Sequence, residues 1–356
     1  MSRTTPSAGH AESGAPGRED PPAGSRSHRS DPSCGAVAGS AESALVLGLD
    51  AGGTKTLLVL ADRAGAVVHH ARAGGINPLT DPAWSAPLED LLHAVPDDAW
   101  ARVGFGVAGL PVHGELESIS AAQTELMARL APFPHLLRND VHVACEAAFL
   151  GAPGALLLAG TGSMVWAADE AGRQLRVGGW GPWLGDEGSA FWIGREAAAR
   201  LSWAIDGRLQ DDGFAAPLAT AIGLPSEGRQ NALLRWFHGA EARPRIASLA
   251  ATVDALAVRG NATARALMHE AASLLAAHVE AAWRLAPGLR RRPWSMAGGV
   301  ARSRIVREQI SARLGSAPAE PVLPPVGGAV WRAAVEAGWP VDASWVARLR
   351  AGLGAE

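Results

Sequence analysis

The fold class this 356-residue sequence predicts is α/β: two domains, each a mixed sheet flanked by helices, around a central cleft. Three observations carry it. Strands alternate with helical stretches in both halves, a strand–glycine turn–strand hairpin occurs twice, and the two hairpins match at one fixed offset. The length suffices for two cores, and 48% hydrophobic residues can fill them.

Residues 1–43 are rich in Ser, Gly, Pro and Ala, contain no apolar run of signal-peptide type, and are expected to form a disordered tail. From Leu45 to Asp50 the chain reads as a buried strand, then a glycine turn, then a second strand over Thr56 to Ala61 ending at the polar turn Asp62 to Gly65. Ala66 to Ala73 reads as a third strand. A Pro-rich connection from Asn77 leads to a helix near Ser85 to Ala94, a short strand over Val103 to Val107 and a helix over about Glu115 to Leu130. Leu136-Leu137 closes at Asn139-Asp140, and a helix runs on to Phe149.

The hairpin pattern then returns. Gly154 to Ala159 is a strand, Gly160 to Ser163 a glycine turn, and Met164 to Ala168 a returning strand with a turn at Asp169 to Gly172. In the overlay Gly53 meets Gly160, Thr54 meets Thr161, Thr56 meets Ser163, Asp62 meets Asp169 and Gly65 meets Gly172. Beyond it come a Gly/Trp loop (Gly178 to Gly188), a long helical stretch from Ser189 to about Leu285, the strand Trp294 to Met296 entering Ala297-Gly298-Gly299-Val300, a helix to about Leu314 and a final helix over about Gly328 to Ala337. The expected division is a domain over 44–150 and a second over 151–356, with the last helix packing back on the first.

A net charge of −3 with dispersed arginines offers no basic stripe for nucleic acid and no polybasic helix for a membrane surface. Cys34 and Cys145 cannot build a disulfide framework or a CxxC site, which fits a cytoplasmic setting.

Three motifs fail on inspection. Gly48-x-x-x-x-Gly53 imitates a P-loop, yet the lysine arrives one position late, at Lys55, and a strand follows where a helix is needed. Gly104-Phe-Gly106-Val-Ala-Gly109 is a literal GxGxxG without the acidic residue that should close a second strand, so its glycines read as tight-turn residues. His269-Glu270 opens an HExxH whose last position is Ser273.

The paired loops are the stronger signal. In Ala51-Gly52-Gly53-Thr54 and Gly160-Thr161-Gly162-Ser163 the missing Cβ atoms let backbone N–H groups converge on an anion, and hydroxyls add donors. Two such loops across a cleft would clasp a polyphosphate. Asp50, replaced by Leu157 in the second copy, suits Mg²⁺ and equally suits a turn cap. Asp140 stands at a helix start, where a cap belongs, and where a carboxylate also points into the cleft to accept a hydroxyl proton. In Gly178 to Gly188, Trp180 or Trp183 could pack on a sugar face and Asp186 could accept hydroxyl hydrogen bonds; alternatively the tryptophans are core and Asp186 caps the next helix.

Together these residues resemble the actin-like sugar kinase, Hsp70 and actin superfamily, and within it the BadF/BadG/BcrA/BcrD ATPase family that includes N-acetylglucosamine kinase. The resemblance runs over roughly Leu45 to Gly338 and implies a duplicated actin-like ATPase (ribonuclease H-like) fold. Asp50 to Thr56 is similar to the first phosphate motif, Leu158 to Ser163 to the second, and Ala297 to Val300 with Ser303 to the adenosine motif. By that similarity Gly52, Gly53, Thr54, Thr161, Gly162 and Ser163 hold phosphates and Gly298, Gly299 and Ser303 hold adenosine; Lys55 reads as a replaceable cation near the phosphates and Asp50 as the acid that suits Mg²⁺. The similarity also puts Asp140 in the place of the catalytic base and Asn77, Gly179 and Asp186 in sugar-binding places, and Trp180 of the same loop is the expected sugar-stacking residue. The implied activity is ATP-dependent phosphorylation of the 6-hydroxyl of N-acetylglucosamine or a related amino sugar, with a homodimer as the expected assembly and neither nucleic acid nor membrane as a partner. The family's other branch, activators of CoA-linked dehydratases, carries a cluster needing four cysteines per dimer; Cys145 supplies one per chain.

Overall fold

A computed structural model describes residues 44–53, 55–238 and 242–354. The tail expected over residues 1–43 and the phosphate-motif residue Thr54 lie outside the described residues.

The first sheet comprises β1 (Leu45–Ala51), β2 (Lys55–Asp62) and β3 (Val67–Gly74), then, after α1 (Ala86–His93) and α2 (Asp97–Trp100), β4 (Val103–Leu110), α3 (Glu117–Leu130) and β5 (His135–Asn139). Its order is β3-β2-β1-β4-β5, with β1 antiparallel to β2 and parallel to β4. The helix α4 (Asp140–Phe149) leads to the second sheet, β6 (Gly154–Ala159), β7 (Ser163–Ala168) and β8 (Gln174–Gly178). Five helices follow, α5 (Ala190–Ile205), α6 (Ala215–Ile222), α7 (Arg229–His238), α8 (Ala242–Val258) and α9 (Ala262–Leu285), before β9 (Trp294–Ala297) joins the sheet in the order β8-β7-β6-β9. The chain ends in α10 (Arg304–Leu314), α11 (Pro325–Glu336) and α12 (Ala343–Leu353). Each sheet is thus a hairpin with a third antiparallel strand on one side and parallel strands on the other, the duplicated actin-like arrangement. Where the first sheet has β5, the second has one parallel bridge, Ser295 to Ala319.

Four sequence expectations change. The long helical stretch is broken at Gly207, Gly223 and Gly260, all at positive φ. Strand β8 and helix α12 had no counterpart in the sequence reading. The GxGxxG glycines lie within β4, not in a turn: a Cβ on Gly106 would stand 2.8 Å from the Phe133 ring and one on Gly109 3.0 Å from Val143, so they admit neighbours close to the sheet. Finally, Ala51 pairs with Thr56 and Ala159 with Ser163, so the first glycine loop is one residue longer than the second. Gly52 therefore matches Gly160, and Asp50 matches Leu158 instead of Leu157.

Helix α4 is the hinge of the packing. Val143 and Ala147 join the apolar layer between the first sheet and α11 and α12, while Ala144 and Ala148 pack on Leu156 of β6. Gly328 of α11 makes the first contact possible, because a Cβ there would sit 2.3 Å from the Val143 carbonyl. The other face of the first sheet is covered by α1 and α3. The largest core joins the second sheet to α5, α6, α8, α9 and α10.

Candidate active site

β4 runs parallel to β1 and β5 parallel to β4, so all three strands end on the same edge of the sheet and the residues after them lie along one cleft. A cavity of about 350 Å³ there is lined from the first sheet side by Asp50, Gly52, Gly53, Lys55, Asn77 and Asp140 and from the second by Gly160, Thr161 and Gly162. Open space surrounds the Cβ position of Gly53, and nothing lies nearer than 4.0 Å to that of Gly160. Gly53 and Gly160 thus present backbone to the cavity with no side chain in the way, whereas a Cβ on Gly162 would stand 2.6 Å from Asp186 Oδ1 and 3.2 Å from the Arg243 guanidinium.

Asn139 settles the competition between capping and exposure at the α4 start. Its side-chain oxygen accepts from the Val141 N–H at 2.9 Å and forms the N-cap, so Asp140, one residue on, is on the cavity wall as the first helical residue. Asp140 Oδ1 also accepts from Val141 N–H at 2.9 Å. Desolvation in the crowded floor of the cleft nevertheless pushes its pKa up to about 7; the Val141 hydrogen bond opposes this and the nearby Glu115 charge adds to it. A carboxylate poised near neutrality suits proton transfer.

The remaining expected residues fall in two other places. Gly299 and Ser303 line a second cavity of about 340 Å³ with Asp254 and Ser248 of α8. Ser303 caps α10 and its hydroxyl donates to Asp254 Oδ1 at 2.5 Å. Gly298, at φ +102°, forms the turn that brings this segment against β6: a Cβ would lie 2.5 Å from the Ala159 carbonyl. Ser163 lies behind its loop, 2% exposed, its hydroxyl donating to the Glu187 carbonyl at 2.8 Å. That engagement makes it a tie within the second half, and Thr161 and Gly162 face the cavity instead.

Gly179, Trp180 and Asp186 also lie outside that cavity's wall. Asp186, at φ +58° and 3% exposed, accepts from the Ser163 N–H at 3.2 Å and from Arg243 at 2.7 Å; Ser189, not Asp186, caps α5. Trp180 and Trp183 are 69% and 91% exposed, so neither is core.

Sequence reading missed four contributors. Arg243 lines the cleft and is 57 residues from its partner Asp186, a contact no local pattern reveals. Glu115 and Arg176 form an ion pair at 2.9 Å beside Asn139. Val112, on the cavity wall, holds φ +63°, a conformation disfavoured for a β-branched residue and of the kind that concentrates at functional sites.

Comparisons with known proteins bear on the family and the fold. The chain is 27% identical over 143 residues to N-acetylmuramic acid/N-acetylglucosamine kinase of Clostridium acetobutylicum, covering 40% of this chain and 46% of that protein. It is 26% identical over 178 residues to N-acetyl-D-glucosamine kinase of Dictyostelium discoideum, covering 46% and 55%. The matches thus span about half the length of these curated relatives. A solved structure from Chromobacterium violaceum, provisionally named an N-acetylglucosamine kinase, superposes with a TM-score of 0.67 at 25% identity, covering 81% of this chain and 98% of that one. One from Porphyromonas gingivalis at 17% identity and TM-score 0.63 shares the fold. The profile of the BadF/BadG/BcrA/BcrD ATPase family matches residues 47–333. On the strength of that match across most of its length, the chain belongs to the BadF/BadG/BcrA/BcrD ATPase family.

Proposed function

We propose that the protein is an ATP-dependent kinase that transfers a phosphoryl group to the 6-hydroxyl of an amino sugar, N-acetylglucosamine foremost. The observation that carries this reading is the single cleft cavity holding two glycine loops, Asp50, Asn77 and Asp140 together. Phosphoryl transfer asks for positioning, charge neutralisation and a carboxylate to accept the hydroxyl proton. In this reading Gly52, Gly53, Lys55, Thr161 and Gly162 hold the phosphates, and the cavity at Gly299 and Ser303 takes adenosine. Asn77, Gly179, Trp180 and Asp186 receive the sugar as the two halves close on it, and Asp140 takes the 6-hydroxyl proton. Asp50 is a hard oxygen donor beside the glycine loops, which fits Mg²⁺ held by few carboxylates with phosphate oxygens and water. When bound, Mg²⁺ supplies neutralisation of phosphate charge.

Arg243 favours a second substrate: its guanidinium on the cavity wall matches an amino sugar bearing a carboxylate, such as N-acetylmuramic acid. ADP release measured against a panel of N-acetylglucosamine, glucosamine, N-acetylmuramic acid and glucose is the test. Release dependent on an amino sugar is expected; release indifferent to every sugar would sink the kinase reading. Gly298→Ala puts a Cβ against backbone at a φ that only glycine adopts readily. A rise of about tenfold or more in the KM for ATP is expected, with the KM for sugar much less affected.

A further inference from the structure

A chain of polar contacts joins the second sheet to the start of α4. Arg176, on β8 of the second sheet, reaches Glu115, in the connection between β4 and α3, at 2.9 Å. The Asn139 side-chain amide donates to the same Glu115 oxygen at 3.3 Å, and the other end of that amide caps α4 beside Asp140. On its own side Arg176 donates to the carbonyls of Gly178 at 3.1 Å and Gly179 at 2.7 Å, and its guanidinium lies 5.5 Å from the Trp180 ring centroid. The Glu115 and Arg176 side chains keep only 23% and 28% of their exposure, more enclosed than a freely solvated surface pair.

Resting on the kinase reading above, we propose that Glu115 is a positioning residue for Asp140, anchored by Arg176 to the loop that begins at Gly178. The pair acts through Asn139: holding its amide fixes the cap, the cap fixes the first turn of α4, and that turn carries Asp140. The same guanidinium shapes the backbone at Gly178 and Gly179, so the sugar-side loop and the base are set by one contact. The other charged groups on the cavity are Asp50 of β1, Lys55 of β2 and Arg243 of α8. Arg332 of α11, Arg138 of β5 and His142 instead gather around Glu146 on the back of α4. Glu115 and Arg176 are therefore the charges whose removal changes the surroundings of Asp140 while leaving the cavity wall intact.

The experiment compares Glu115→Gln and Arg176→Gln with the wild type in sugar-dependent ADP release from pH 5.5 to 9 (working values of about that range suffice to span neutrality), with melting temperatures alongside. Both variants are expected to lose about tenfold to hundredfold in kcat, the scale of a slightly misplaced catalytic group, with little change in the KM for ATP. Their acid limbs should move in opposite directions. Removing Glu115 takes a negative charge from beside Asp140 and shifts the limb to lower pH; removing Arg176 leaves Glu115 uncompensated and shifts it to higher pH. Arg176→Lys, which keeps the charge, should bring the limb back toward wild type. Wild-type kcat in both glutamine variants, or limbs that coincide or move the same way, would overturn the assignment. A wild-type protein without sugar-dependent ADP release would instead overturn the kinase reading itself.

Discussion

Replacing Asp140 by Asn is expected to lower kcat by about 10²–10⁴-fold while the protein still folds and binds sugar, because the amide keeps the shape of the cleft floor but cannot take a proton. Coupled ADP release gives the rate and calorimetry the sugar affinity; a variant that binds sugar and works at the wild-type rate would end the assignment. The wild-type pH profile belongs to the same expectation. A base must be ionised, and burial holds the Asp140 carboxyl at a pKa of about 7. Activity should rise about tenfold per pH unit below that value and level off above it. The stability consequence has a definite sign. The folded pKa lies above the usual 3.8, so the folded state binds a proton that the unfolded chain has released between about pH 4 and pH 7. This site therefore makes the protein less stable as pH rises through that window, and the Asn variant should lack that slope in a series of melting curves.

Gly194→Ala should lower the melting temperature by roughly 4 °C or more, an expectation that rests on one helix crossing. Gly194 of α5 meets α8 so closely that an added Cβ would fall 1.8 Å from the Ile246 carbonyl oxygen and 2.7 Å from its carbon. A side chain at that place could rotate away; a helical carbonyl cannot. Alanine would gain about 0.5–1 kcal/mol of intrinsic helix preference over glycine. Overpacking against immovable backbone costs about 3 kcal/mol, at the upper end of its usual range, and outweighs that gain. At about 2 °C per kcal/mol, the lower end of the range for chains of roughly 150–250 residues and the appropriate end for a larger one, the net loss of about 2 kcal/mol is visible by thermal melting. An unchanged or raised midpoint would show that the helices separate without cost. Because α8 also carries Arg243 and Asp254, a protein that survives the change should show weaker nucleotide binding.

How much was legible depended on the range of the interaction. Both hairpins are marked by glycines flanked by apolar runs, and their duplication is visible in the sequence alone. The same duplication contained the missed strand: β3 follows β2 across a polar turn, and β8 follows β7 in the same way. Helix α12 also has a local mark: Asp342 accepts from the Trp345 N–H as its N-cap. The GxGxxG reading failed because glycine serves two ends, tight turning and close approach, and the sequence does not say which neighbour is coming. In β4 the neighbours are Phe133 and Val143, far enough along the chain to be invisible to a local pattern. The tryptophans of the Gly178 to Gly188 loop show the converse: composition suggested core or sugar, and packing left Trp183 almost wholly exposed.

The sequence by itself determined the duplicated α/β architecture, the two glycine loops and the placing of Asn139-Asp140 at a strand-to-helix junction. Each of these follows from backbone preference and apolar periodicity over a few residues. Only the tertiary structure decided that Asn139 takes the cap while Asp140 faces the cavity, that Ser163 turns away to Glu187, that Arg243 lines the cleft, and that Glu115 and Arg176 pair beside Asn139. Charge and burial at a site are sums over neighbours drawn from distant parts of the chain. Helix α4 shows the division: its residues make it a helix, but its position between two sheets places a carboxyl where desolvation raises its pKa toward neutrality.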